Sequence, residues 1–174
     1  MKKCCITFLL SGIIILSAFI FDGGARQANG EFLRIHIRAN SDLQEEQAVK
    51  YLVRDGVVEC LTPIVARAKD KSQAMSLVQA ALGQIKLVAE KTLAENGFFY
   101  GATVALKREE FPTRVYGDVT LPGGVYDAVI ITLGRGAGQN WWCVVYPPLC
   151  FAGTADVVYR SLIWEQIQKW KDGR

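Results

Sequence analysis

Histidine is almost missing from this chain: His36 is the only one among 174 residues. No Cys-x-x-Cys or His-Glu-x-x-His spacing occurs, so a tetrahedral metal site has too few nitrogen and sulfur ligands. No metal and no cofactor is expected. Excess charge of either sign is also lacking. Lys and Arg number 20 against 17 Asp and Glu, a net charge of +3. Losing the N-terminal stretch, which holds Lys2, Lys3 and Asp22, barely changes that balance. It is too small to argue for nucleic acid or an anionic membrane surface as a partner. The Gly-x-Ser-x-Gly elbow of serine hydrolases is absent, and so is a Gly-Lys-Ser/Thr phosphate loop. There is no internal repeat and no low-complexity tract.

What is present begins with an export signal. Lys2 and Lys3 form a basic start, and Cys4 to Phe21 then runs without a charged residue. Small residues follow, with Gly23 and Ala25 at −3 and −1 for a cut after Ala25. The run is also long enough to span a bilayer, which takes roughly 17–25 residues. Residues 1–25 are therefore a cleaved signal peptide or a retained anchor, with residues 4–21 touching the membrane only if uncleaved. Residues 26–32 read as a linker. The remainder is the size of one domain, able to bury enough surface to fold without a metal or a disulfide framework.

Along that remainder, Phe32 to Ala39 alternates. Leu33, Ile35 and Ile37 take one side and Arg34, His36 and Arg38 the other, which predicts a half-buried strand. Asn40, Ser41 and Asp42 mark a helix start, with Ser41–Gln44 or Asp42–Glu45 as a capping box. An apolar stripe follows from Val49 to Ile64, with a kink or restart expected at Thr62-Pro63. A second stripe runs from Ala74 to Leu93 and stops at Asn96-Gly97. Thr103–Lys107, Val115–Leu121, Val125–Leu133 and Trp141–Tyr146 are then strand-like runs separated by turns, which predicts an antiparallel meander. After Gly153 a C-terminal amphipathic helix is expected. The fold class is α+β: a signal or anchor helix, one strand, two amphipathic helices, a meander and a final helix, with the domain at 33–153 and the last helix at 154–174.

Two constellations invite chemistry. Gly134-Arg135-Gly136-Ala137-Gly138 has the glycines of a nucleotide loop, but a strand follows where phosphate binding needs a helix N-terminus. A hairpin loop is the plainer reading. Cys143 or Cys150 could act as a nucleophile with His36, the imidazole oriented by Asn140 or Asp118. The bland alternative is a structural thiol or a Cys143–Cys150 disulfide, with Cys60 buried alone on its helix stripe. The segment from Asn140 to Phe151 is dense in aromatics. Trp141 and Trp142, adjacent on a strand, must point to opposite faces. One enters the core and the other lies under a helix, on the outer face or in an interface.

Three blocks of the sequence resemble the stage II sporulation protein R family of endospore-forming bacteria. The first is Leu33-Arg34-Ile35-His36-Ile37-Arg38-Ala39-Asn40-Ser41-Asp42, continuing to Gln47, Lys50 and Val53-Arg54-Asp55. The second is Phe111 to Asp118 and Leu121 to Ala128. The third runs from Gly134 and Gly136 through Asn140-Trp141-Trp142-Cys143-Val144 to Pro147-Pro148-Leu149-Cys150-Phe151, and is the most specific. Arg38, Gly123 and Ile130 depart from the family's usual residues without touching the third block. The resemblance implies a non-enzymatic signal, exported from the forespore toward the space between forespore and mother cell. There it would activate a membrane-embedded aspartic protease that cleaves the precursor of an early mother-cell sigma factor. Asn140, Trp141, Trp142, Cys143, Pro147, Pro148 and Cys150, with His36, Asn40 and Asp42 beside them, are the expected partner-binding surface. The competing readings are an extracytoplasmic cysteine hydrolase acting on cell-wall material and a membrane-anchored structural protein.

Overall fold

The computed structural model of the chain describes residues 30–116 and 119–149. The signal segment, the C-terminal helix, Asp118, Cys150 and Phe151 lie outside the described residues. Among those described, no helix is long and apolar enough to cross a membrane.

The fold is α+β, in the order β1 (Leu33–Arg38), α1 (Gln44–Val65), α2 (Lys71–Glu95), β2 (Ala102–Phe111), β3 (Arg114–Tyr116), β4 (Val119–Leu121), β5 (Gly124–Leu133) and β6 (Asn140–Tyr146). The apolar stripe of α1 buries Val49, Val53, Val57, Leu61 and Ile64. That of α2 buries Ala74, Val78, Ala81, Ile85, Ala89 and Leu93. Each large aliphatic side chain taken from water in this way contributes about 1.5–3 kcal/mol. The alanines of α2 and Gly56 of α1 keep the helix pair close: a Cβ on Gly56 would lie 3.2 Å from Val88 Cγ1.

Both helix starts reflect local chemistry, but not equally. Asp70 caps α2, its Oδ1 accepting from the Gln73 N–H at 2.8 Å. At α1 the expected capping box does not form. Leu43 occupies the cap position without a side-chain bond, and Asp42 instead accepts from the Gln139 N–H at 2.7 Å. Pro63 does not end α1, which runs on to Val65. Proline's missing donor and ring clash are tolerated there in the final turns. Gly97, at φ 82°, supplies the left-handed stop after α2.

The strands depart from a simple meander. The four-stranded sheet has the order β2-β5-β1-β6, and β3 and β4 form a separate two-stranded hairpin. β1 runs parallel to β5 and antiparallel to β6, so it lies between two strands that are consecutive in sequence. Its central place overturns the half-buried reading. Leu33, Ile35 and Ile37 face the helices with Val129, Ile131, Leu133, Cys143 and Val145. The opposite face is also covered, by Phe32, Phe111, Tyr126, Trp142, Val144 and the β4 residues Val119 and Leu121. Arg34 and His36, on that second face, are as buried as the leucines, at 0% and 1% exposure.

Candidate functional site

Alternation along β1 places Arg34 and His36 side by side in an aromatic layer. The Arg34 guanidinium sits 4.3 Å from the Phe111 ring centroid and 4.9 Å from that of Tyr126. Its Nη2 donates to the Tyr116 hydroxyl at 2.6 Å, and that hydroxyl donates on to the Trp142 carbonyl at 3.2 Å. Nη1 has no hydrogen-bond partner among the described residues. Burial lowers the Arg34 pKa, opposed by the Tyr116 hydroxyl, and burial raises that of Tyr116, opposed by Arg34.

His36 lies flat on Trp142, ring centroids 3.7 Å apart, and edge-on to Phe111. Its Nδ1 is 3.2 Å from Glu109 Oε2, and the other Glu109 oxygen pairs with Arg38. Burial pushes the imidazole below its ordinary range, against Asn140 and Glu109, which favour the protonated ring. The imidazole Nε2 has no hydrogen-bond partner among the described residues. A carboxylate shared by an imidazole and a guanidinium has the ingredients of an acid–base pair. Among the described residues no hydroxyl or thiol is hydrogen-bonded to it.

For Cys143 the cysteine nucleophile reading fails on register. His36 stands opposite Trp142 in the β1–β6 ladder and Ile35 opposite Cys143. Cys143 therefore belongs to the helix-facing core, on the other side of the sheet from the imidazole. It is also disulfide-bonded, so it offers no thiolate. Its expected partner, Cys150, lies outside the described residues. Cys60 is a free thiol, half-buried against the helix core rather than fully enclosed.

A second polar cluster joins the first and third sequence blocks. The turn after β1 packs against the Gly134–Gln139 loop. Gly138 N–H donates to Ala39 O at 2.9 Å and Ala137 N–H to Asn40 O at 3.2 Å. Asn40 Oδ1 accepts from Arg135 N–H at 3.0 Å, while its Nδ2 donates to Glu46 at 2.7 Å. The glycines are there for close approach. A Cβ on Gly138 would sit 2.1 Å from Ser41 O, and one on Gly134 would sit 2.4 Å from Asn40 Oδ1. The loop is thus no hairpin: it passes over the end of β1 to reach β6.

Beneath this junction α1 contributes two buried charges. Glu46, 7% exposed, also accepts from the Tyr100 hydroxyl. Lys50, 1% exposed, donates to Gln47 at 2.6 Å and to the Gln139 carbonyl at 3.2 Å. Burial lowers the Lys50 pKa, with Asp42 opposing, and raises that of Tyr100, reinforced by Glu46.

The expected site residues therefore divide. His36 and Trp142 meet. Asn40 and Asp42 are brought together with the glycine loop but hold it in place. Trp141, on the other face, is half-buried against the helix core with Arg54 5.8 Å from its ring. Pro147 and Pro148 are half-buried at the end of β6. Glu109, Tyr116, Tyr100 and Glu46 were not singled out by sequence reasoning. The one available signal was charge on an otherwise apolar stripe, at Glu46 and Lys50, four residues apart.

The family model for stage II sporulation protein R matches residues 29–156. A curated protein of that name from Bacillus subtilis (strain 168) is 39% identical over 119 residues, 68% of this chain and 53% of the relative. The match thus spans about half the length of that relative. No solved structure matches the chain.

Proposed function

The chain belongs to the stage II sporulation protein R family, and from that membership we propose that it is an exported signal of endospore formation. It crosses the forespore membrane and activates a membrane-embedded aspartic protease of the mother cell. That protease then cleaves the precursor of an early mother-cell sigma factor. The family match over residues 29–156 carries the reading, because it contains all three blocks that resemble the family. The Lys2–Ala25 signal pattern supports export.

The geometry supports a binding role over a catalytic one. Among the described residues His36 and Lys50, the titratable side chains at the centres of the two clusters, are closed off within the sheet and under the glycine loop. Rigid, well-connected side chains of this kind hold a surface in one shape, which lowers the entropy lost on binding. Co-expression with the protease and its precursor substrate in a non-sporulating host tests the reading. Precursor cleavage is expected only when this chain is present and exported. Cleavage in its absence, or none in its presence, overturns it.

A further inference from the structure

Among the described residues β2 ends the sheet, and its outer side is open. Gly134 N–H donates to Gly101 O at 3.0 Å, which puts the odd-numbered residues of β2 in hydrogen-bonded pairs with β5. By the alternation of an antiparallel ladder, Ala102, Val104, Leu106, Arg108 and Glu110 then turn their N–H and C=O groups outward. Ala102 N–H agrees, donating at 3.3 Å to Glu90 of α2 rather than to β5. The other four have no partner for these outward groups among the described residues. Along this edge Thr103, Ala105, Lys107, Arg108 and Glu110 are exposed, and Val104 and Leu106 half-buried.

We propose that β2 pairs edge to edge with β2 of a second copy of this chain, antiparallel about a two-fold axis. The occupant follows from the charges. Lys107-Arg108-Glu109-Glu110 reads plus, plus, minus, minus, so reversing the strand brings the basic pair of one copy alongside the acidic pair of the other. Outward residues must oppose outward residues, which restricts the registers. Centred on Arg108, Lys107 faces Glu109 of the second copy, and the two Arg108 side chains meet on the axis with Glu110 on the diagonal of each. Centred on Glu109, two carboxylates already engaged by His36 and Arg38 would meet on the axis, so the Arg108 register is the favoured one. The two-fold repeats each contact, as an isologous interface requires. A parallel, in-register copy would stack like charges. The main-chain groups supply the ladder, which in this register runs from Ala105 to Phe111 of each copy.

The test is the mass of the full chain in detergent micelles, by light scattering or sedimentation across a wide concentration range. A dimer of the 19.2 kDa chain is expected, dissociating as salt rises. Leu106→Pro removes an outward N–H that the monomer does not use, and proline is tolerated on an edge. It is expected to keep the native circular dichroism and lose the dimer. Lys107→Glu with Arg108→Glu, and separately Glu110→Lys, are each expected to be monomeric, and to form a mixed dimer when combined. A monomer at every concentration means the charges merely guard the edge and overturns the proposal. So does a dimer that all these changes leave intact. If the proline variant fails to fold, the mixing experiment decides.

Discussion

The imidazole of His36 lies 3.7 Å from the indole of Trp142, with the planes 21° from parallel. Because residue 36 stands opposite residue 142 in the β1–β6 ladder, this stack joins the first and third sequence blocks at their centres. Trp142→Ala is expected to destabilise the domain toward the lower end of the about 3–5 kcal/mol typical of buried aromatics, since the indole is only half-buried. Trp141→Ala is expected to cost less. Urea unfolding of both variants measures the difference, and precursor cleavage by the folded Trp141 variant shows whether that face also contacts a partner.

The same stack makes stability sensitive to acid. Burial holds the His36 pKa below its ordinary value, so below about pH 6.5 the unfolded chain binds a proton more readily than the native one. The native state is fully favoured above that pH and loses ground as pH falls toward the folded pKa. Unfolding free energies from about pH 7.5 down to about pH 5 are expected to fall more steeply for the wild type than for His36→Gln. Equal slopes would show that the imidazole titrates freely.

Glycine substitutions separate close approach from mere flexibility. Gly138→Ala drives a Cβ to 2.1 Å from the Ser41 carbonyl oxygen, a backbone atom that cannot swing aside. A loss of at least about 1–3 kcal/mol is expected in thermal unfolding. Gly83, within α2, has nothing within 4 Å of its would-be Cβ, and Gly83→Ala is expected to stabilise by about 0.5–1 kcal/mol.

Asn40→Ala removes the acceptor of Arg135 N–H and the amide donor to Glu46 together. A loss of about 1–3 kcal/mol is expected, because the Glu46 carboxylate stays buried with one donor fewer. Faster amide exchange at Arg135 and Ala137 than at the centre of β5 would place that loss at the junction.

Thiol labelling distinguishes the cysteines of the described domain. Under denaturing, non-reducing conditions Cys60 is expected to take an alkylating label, and Cys143 only after reduction. Peptide mass spectrometry that finds Cys143 labelled without reduction would reject the bond.

Much of the fold was legible in periodicity. The helix stripes, the Gly97 stop and the opposite orientation of Trp141 and Trp142 follow from spacings of three to four and of two. The site was less legible. Arg34 and His36 look like the wet side of a strand because alternation reports only that two faces differ, not what covers the second. Ser41 and Asp42 look like helix caps because local pattern cannot see Gln139, whose N–H takes Asp42 instead.

The sequence by itself determined the element types within the described residues, the family and the pattern of an export signal, all of which depend on residues close in the chain or on motif identity. Only the tertiary structure decided that β1 inserts between β5 and β6 and that Cys143 and His36 lie on opposite faces. It also decided that the three loop glycines make room for the strand end rather than for a phosphate. Each of these depends on strand order, which is fixed by which apolar faces can be buried together across distant segments. No local spacing encodes that choice.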